Sequence, residues 1–245
     1  MSATDETEVQ DIPVQPPVDQ PILNSPYYEP KEFWQYVGGK AHKAPGRRIA
    51  SYHWTTQRTG SAQAEMFSSD QGADDLPLVN ALREDLKKWR QSNYQNATPV
   101  TKELLKHWSD KGRMRRLFFC QIEAVETVIY LAEIVASNRR TQFKAKVTHE
   151  EYQKLIQGIR PDIAEQTVNE DFYPTLADQP ADASLAPLIR YGCKMATGSG
   201  KTVVMAMIIT WAFCNRGRQS ADTRFPNKVL VMAPNLTVRE RLSVL

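Results

Sequence analysis

The sequence lacks the features of a membrane or secreted protein. Nowhere in its 245 residues is there an apolar run of the roughly 20 residues that a membrane helix needs. Residues 1–29 contain acidic side chains but no Lys or Arg, which is unlike a signal peptide. We therefore expect a cytoplasmic protein with no membrane partner.

Cysteine and histidine are also scarce. The three cysteines, Cys120, Cys193 and Cys214, are scattered and odd in number. That pattern excludes a disulfide framework or a zinc site and indicates a reducing compartment. The four histidines show no ligand spacing, and the chain has no internal repeat. An ordinary apolar core must therefore hold the fold together, and the composition, 41% hydrophobic and 24% charged, suits one.

The small net charge of +3 hides a strong segregation of charge along the chain. Residues 1–30 carry −6, residues 31–116 carry +7 and residues 117–245 carry +2. The middle third is therefore the candidate surface for a polyanion. Within it, residues 37–60 interleave basic and aromatic side chains, as a nucleic-acid contact would. A small solvated β unit with a basic turn explains the same pattern and is the commoner origin of a modest charge run.

Residues 195–202, MATGSGKT, form the strongest motif in the chain. They match the G-K-[ST] ending of the phosphate-binding Walker A loop, although Met195 replaces its first glycine. The apolar segment 202–215 predicts a helix that is buried on all sides. The short apolar run 229–233 predicts a buried parallel strand. Apolar residues that alternate with polar residues and glycine over 190–195 give a weaker strand signal. This order of elements favours a phosphate site over a coincidental turn before a core helix.

The residue types of this loop define its expected chemistry. Gly198 and Gly200 have no Cβ, so the backbone can turn tightly and aim N–H groups at a polyphosphate. Lys201 is the cation expected to reach the terminal phosphates, and the Thr202 hydroxyl is expected to hold Mg²⁺. The helix that follows adds a field favourable to anions at its N-terminus. The predicted phosphate-binding residues are Thr197, Gly198, Ser199, Gly200, Lys201 and Thr202.

Periodicity and capping residues predict further helices that carry packing and no chemistry. Apolar spacing predicts helices over 78–89 and 117–136. Thr98 followed by proline predicts a helix start, with a helix through residue 108. Thr148 with Glu151 three positions later predicts a capping box.

Three segments, in order, resemble the start of the first RecA-like motor domain of superfamily 2 helicases and translocases. They are 118–124 (FFCQIEA), 195–202 (MATGSGKT) and 229–237 (VLVMAPNLT). In detail they look most like type III restriction endonuclease Res subunits and related DEAD/DEAH-family proteins. The resemblance covers residues 117–137 and 189–245. It implies an α/β fold, an incomplete RecA-like P-loop NTPase domain whose parallel sheet is flanked by helices.

The resemblance also implies how the chain is divided. Residues 1–26 are expected to be an acidic, proline-rich, disordered tail, and residues 27–116 a basic N-terminal region. Residues 117–245 are expected to form part of the first motor domain. Residues 138–188, polar and punctuated by prolines, are expected to be an insertion in it.

By resemblance, the function is that of an ATP-dependent DNA helicase or translocase. The chain is then the ATP-binding N-terminal part of a restriction (Res) subunit from a type III-like restriction-modification system. Its cofactors are ATP and Mg²⁺, and its partners are double-stranded DNA and a methyltransferase (Mod) subunit. Endonuclease activity belongs to the expectation for the full protein.

The same resemblance assigns roles to single residues. Gln121 reads the adenine edge, for which an amide is suited, and Phe118 or Phe119 stacks on the base. Lys201 and Thr202 take the catalytic phosphate and Mg²⁺ roles. The residues expected to contact nucleic acid are Asn235, Thr237 and Arg239.

The chain departs from the family pattern in two ways. Gln121 and Lys201 are 80 residues apart, which is long for a compact motor. The 43 residues after Thr202 contain no Walker B motif, Asp-Glu-x-His in this family, which holds Mg²⁺ and positions the attacking water. We therefore expect this chain alone to be inactive. The alternatives are a non-catalytic DNA- or nucleotide-binding fragment and, less well supported, another P-loop enzyme such as a nucleotide kinase or GTPase.

Overall fold

The computed structural model describes residues 18–37, 40–53, 73–139, 141–163, 175–177, 182, 184–185 and 188–232. The chain divides into two compact units. The first comprises residues 1–25, 30–48 and 53–73, and the second comprises residues 26–29, 49–52 and 74–245.

The first unit contains an antiparallel hairpin. Strands β1 (Glu32–Val37) and β2 (Lys40–Pro45) pair with Glu32 opposite Pro45 and Val37 opposite Lys40. The side chain of Asn24 fastens the start of β1, because it donates to the Glu32 carbonyl at 2.7 Å and accepts from the Lys31 N–H at 2.8 Å. None of the described residues of the hairpin is buried. A solvated β unit is therefore present in the basic region, as one of the two interpretations of its charge pattern predicts.

The second unit is mainly helical. Its helices are α1 (Pro77–Gln91), α2 (Pro99–Trp108), α3 (Phe119–Ile129), α4 (His149–Ile156) and α5 (Lys201–Arg218). A π-helical segment, Tyr130–Val135, continues α3. Strands β3 (Ser51–His53) and β4 (Ala73–Asp75) form a second two-stranded sheet, and residues 51–52 and 74–75 of these strands belong to this unit.

Local chemistry explains where these helices begin. Thr98 caps α2 by accepting from the N–H of Thr101 at 3.1 Å, and proline occupies the first helical position. Thr148 caps α4 in the same way, accepting from the N–H of Glu151 at 3.2 Å. Both predicted starts are confirmed. The predicted helix over 117–136 is present as α3 with its π-helical continuation.

The core of the second unit lies where α1, α2, α3 and α5 pack together. Trp89, Leu105, Val125, Ile129 and Leu155 have no exposed surface. Burying such side chains stabilises a fold by roughly 1.5–3 kcal/mol each. This packing holds the first turn of α5, and hence the phosphate loop before it, against α3.

The expected parallel sheet is not present among the described residues. Residues 188–196 run without regular structure apart from one bridge, in which Ile189 pairs with Ala177. Residues 229–232 also form no strand, and Leu230 and Met232 are each 84% exposed. A strand is held by the hydrogen bonds of its neighbours, and no described strand lies beside either segment. Apolar composition alone was insufficient to predict this pairing.

The expectation that α5 is buried on all sides is wrong for the described residues. One face is buried through Val204, Met207, Trp211 and Ala212, where it packs on α2 and α3. On the rest of the helix, side chains such as Val203 and Phe213 are 39% and 42% exposed. An all-apolar helix requires cover on every side, and the described part of the chain covers only one.

Candidate nucleotide-binding site

The loop before α5 has the backbone geometry that its glycines predicted. Gly198 and Gly200 have φ values of +79° and +82°, in the left-handed region that costs L-residues roughly 1–2 kcal/mol. The loop closes on the Ala196 carbonyl, which accepts from the Ser199 hydroxyl at 2.7 Å. Gly200 is the N-cap, and α5 begins at Lys201.

The functional side chains of the loop stand at the start of α5. Lys201 is exposed, and its Nζ donates to the Ala196 carbonyl at 2.9 Å, so the ammonium group folds back over the loop. Thr202 is the second residue of the helix and is half-buried. The N–H groups of both residues belong to the first turn, where a helix offers no internal acceptor. Free N–H donors, an ammonium group and a hydroxyl on one helix end fit a polyphosphate with Mg²⁺.

Gln121 reaches this loop despite its distance along the chain. Its amide Nε2 donates to the Ser199 carbonyl at 3.0 Å, and its Oε1 accepts from the Phe118 N–H at 2.9 Å. The side chain lies so close to Gly200 that a Cβ there would collide with the amide nitrogen. Gln121 is only 6% exposed. It therefore joins the start of α3 to the phosphate loop, while its contact with adenine stays a prediction.

The two phenylalanines before Gln121 have different surroundings. The Phe118 ring packs on the Tyr27 ring, with centroids 5.6 Å apart. The guanidinium of Arg90 lies 5.2 Å from the centroid of the Phe119 ring. Arg90 also pairs with the buried carboxylate of Glu126 at 2.6 Å, and burial raises the pKa of that carboxyl. Phe119 is thus part of the packing between α1 and α3.

A buried polar cluster below α5 was missed from the sequence. Glu133, in the π-helical segment, accepts from the Thr98 N–H at 2.5 Å, the Thr101 hydroxyl at 2.7 Å and the Trp211 Nε1 at 3.2 Å. Asn215 accepts from the Thr98 hydroxyl at 2.5 Å and donates to Thr101 at 3.1 Å. A carboxylate on the apolar side of a predicted helix, as Glu133 is, was the available signal. The cluster fixes α5 to α2 and to the π-helical segment.

Other predicted features lie beyond the described residues or are not found among them. Asn235, Thr237 and Arg239, the candidate nucleic-acid contacts, lie outside the described residues and remain predictions. Where the structure is described, no group of His, Cys, Asp and Glu side chains is arranged for a metal ion. Within the same residues, no helix has the length and apolarity to cross a membrane.

The comparisons with known proteins address the same segment. Residues 187–243 match the family model described as "Type III restriction enzyme, res subunit". The match includes the phosphate loop, α5 and the predicted nucleic-acid contacts, and it supports a helicase-like relationship for this segment. Gln121 and the rest of the N-terminal helices lie outside it. Comparisons with curated proteins and with solved structures found no match.

Proposed function

We propose that this chain binds Mg-ATP through residues 197–202 and is the ATP-binding N-terminal part of an ATP-dependent DNA helicase or translocase. The observation that carries the proposal is the loop itself. Two left-handed glycines turn the backbone at the N-terminus of α5, and Lys201 and Thr202 follow directly. The match of residues 187–243 to the Res-subunit family model supports the helicase-like part of this proposal.

Each residue of the proposed site has a distinct task. Lys201 exchanges its contact with the Ala196 carbonyl for the terminal phosphates, and Thr202 contributes a hydroxyl to the metal. Mg²⁺, when bound, neutralises charge on the phosphates. The two hydrogen bonds of Gln121 use one N–H of its Nε2 and one lone pair of its Oε1. The second N–H and the second lone pair are proposed to read adenine. Double-stranded DNA is the proposed track and a methyltransferase (Mod) subunit the proposed partner.

We propose further that the chain by itself binds ATP without turning it over. Hydrolysis in such motors needs an acidic pair that holds Mg²⁺ and orients water. Residues 203–245 contain no Asp-Glu-x-His sequence. Lys201 and Thr202 are therefore expected to hold Mg-ATP in the ground state only.

Titration calorimetry of Mg-ATP with the full chain and with Lys201→Ala tests the binding site. We expect Lys201→Ala to weaken binding by roughly 10- to 150-fold, because a hydrogen bond to a charged group contributes about 1.5–3 kcal/mol. Lys228→Ala is the matched control, since Lys228 is an exposed lysine outside the loop. Equal affinities of the two variants would exclude the phosphate loop as the site.

Two further measurements separate the alternatives. Competition by GTP as effective as by ATP would favour a GTPase over the motor. A steady release of phosphate that Lys201→Ala abolishes would contradict binding without turnover. The non-catalytic alternative, favoured by the charge of +7 over residues 31–116, predicts DNA binding that falls steeply with salt and ignores ATP.

A further inference from the structure

The two ends of the phosphate loop are held in different ways. Its C-terminal end continues into α5, which packs on α2 and α3. Its N-terminal end follows residues 188–196, which lie outside the two described sheets. Ala196 joins this segment to the loop, because its carbonyl accepts from the Ser199 hydroxyl and from Lys201 Nζ. The position of residues 188–196 therefore affects where the ammonium group of Lys201 lies.

Residues from the interval 138–188 restrain that segment through the backbone. The Arg190 N–H donates to the Leu176 carbonyl at 2.7 Å, and the Leu176 N–H donates to the carbonyl of Leu155, in α4, at 3.2 Å. Leu155 and Leu176 are both buried in the core. Two successive hydrogen bonds thus run from a buried residue of α4 to Arg190.

A bond between two side chains reinforces this connection one residue later. The hydroxyls of Tyr152, in α4, and Tyr191 lie 2.7 Å apart. Tyr152 is 2% exposed, and Tyr191 is half-buried against the core. Burial raises the pKa of the Tyr191 hydroxyl, so this group keeps its proton at neutral pH. Partial shielding from water strengthens such a bond, and the segment that leads into the phosphate loop is held by it.

We propose that Tyr152 is a positioning residue for the phosphate loop and acts through Tyr191. It lies outside the loop and holds the segment that enters it, so the loop is ordered before a ligand arrives. Apparent affinity falls in proportion to the fraction of molecules in the binding-competent conformation, so loosening this segment weakens binding. This inference rests on the proposed function for the identity of the ligand as Mg-ATP.

Tyr152→Phe and Tyr191→Phe each remove one hydroxyl from the bond and keep the ring. Calorimetry of the full chain measures their affinity for Mg-ATP. Each variant is expected to bind roughly 2- to 13-fold more weakly, the effect of losing one net hydrogen bond. The double variant is expected to bind as weakly as a single variant, because all three chains lack the same bond.

Hydrogen exchange measures the loosening in the absence of ligand. The Arg190 N–H is expected to exchange roughly 2- to 13-fold faster in each variant than in the wild type, because the segment opens more often. Tyr94→Phe is the matched control, since it removes a tyrosine hydroxyl that donates to Glu126, in α3, at 2.8 Å. The control is expected to lower the midpoint of urea unfolding without changing the Mg-ATP affinity or the exchange at Arg190.

A bond that serves stability alone would give a different result. Tyr152→Phe and Tyr191→Phe would then lower the urea midpoint, as the control does, and bind Mg-ATP with wild-type affinity. That outcome overturns the inference. A double variant whose loss of affinity is the product of the two single losses overturns it as well, because the two hydroxyls would then act separately.

The outcome is separable from that of the proposed function. If Lys201→Ala loses Mg-ATP binding while Tyr152→Phe and Tyr191→Phe keep it, the phosphate site stands and the positioning role fails. If Lys201→Ala and the wild type do not differ toward Mg-ATP, the proposed function fails and exchange decides the inference. Faster exchange at Arg190 in both tyrosine variants then supports the positioning role, and unchanged exchange overturns it.

Discussion

At the scale of single residues, Gly200 is the most constrained position in the candidate site. Its φ of +82° disfavours any side chain, and the space a Cβ would need is occupied by the amide of Gln121. Gly198 has a similar φ of +79°, but a Cβ added there would meet no heavy atom within 4 Å. Gly192 has open space as well and no left-handed backbone. Substitution of Gly200 therefore meets both backbone strain and a steric collision, substitution of Gly198 meets strain alone, and substitution of Gly192 meets neither.

Alanine substitutions at these glycines are expected to rank in that order. Gly198→Ala should lower the free energy of unfolding by roughly 1–2 kcal/mol through strain alone. Gly200→Ala should cost more, because it also displaces the bond from Gln121 to Ser199, and a buried group left unpaired costs about 1–3 kcal/mol. Gly192→Ala should have little effect. Urea unfolding of the three variants measures the ranking, and equal stability of Gly200→Ala and Gly198→Ala would show that Gln121 moves aside freely.

At the scale of elements, the buried polar cluster decides how α5 is held. Its contacts connect α2, the π-helical segment and α5 through Thr98, Thr101, Glu133, Trp211 and Asn215. Trp211 also packs edge-on against Phe225, with centroids 5.3 Å apart. π-Helical turns are often found at functional sites, and this one places a carboxylate beneath the helix that begins at Lys201. The cluster is therefore expected to act as one unit.

A double-mutant cycle between Glu133 and Trp211 tests whether the buried polar cluster acts as one unit. Glu133→Gln replaces one carboxylate acceptor with a donor and should cost about 1–3 kcal/mol of stability. Trp211→Phe should cost more than the roughly 1 kcal/mol of the lost N–H, because Trp211 is buried and the smaller ring leaves a cavity. Because the two side chains are bonded, the double variant should differ from the sum by about 0.5–3 kcal/mol. The control is Trp34→Phe in strand β1, which removes the hydrogen bond from Nε1 to the Gln20 carbonyl. It should combine additively with Glu133→Gln. Additivity in both pairs would refute the cluster as a unit.

At the scale of the whole molecule, the sequence predicted the features that depend on neighbouring residues and not the contacts between distant segments. Thr98 and Thr148 marked helix starts because a cap acts within three residues. The phosphate loop was recognisable because its glycines, Lys201 and Thr202 lie within five consecutive residues. The contact of Tyr27 with Arg116 joins positions far apart in sequence, and no periodicity encodes it. The strands expected at 190–195 and 229–233 depend on pairing partners for the same reason. Exposed apolar side chains at Leu230 and Met232 show that composition without partners does not make a strand.

The pH dependence of stability includes opposite contributions from two aspartates, Asp222 and Asp85, whose surroundings differ. Arg224 holds Asp222 with its Nε at 2.9 Å and a second nitrogen at 2.6 Å, and this bonding lowers the Asp222 pKa to about 2. Burial has the opposite effect on Asp85 and raises its pKa, although the carboxylate accepts from the N–H groups of Lys146 and Val147. The two groups therefore make contributions to stability that have opposite signs.

The stability contributed by Asp222 and by Asp85 should therefore change in opposite directions as the pH changes. Between about pH 2 and the ordinary aspartate pKa of about 4, the unfolded chain binds more protons at Asp222, so the stability that Asp222 contributes is lost as the pH falls. Asp85 binds more protons when folded, so its contribution is lost as the pH rises above about 4 through its raised pKa. Urea unfolding midpoints measured across pH test this. As the pH increases, the midpoint of the wild type should rise relative to that of Asp222→Asn and fall relative to that of Asp85→Asn. Parallel curves for the wild type and Asp222→Asn would mean that the contact with Arg224 does not persist in solution, because only a folded-state pKa shift makes their separation depend on pH.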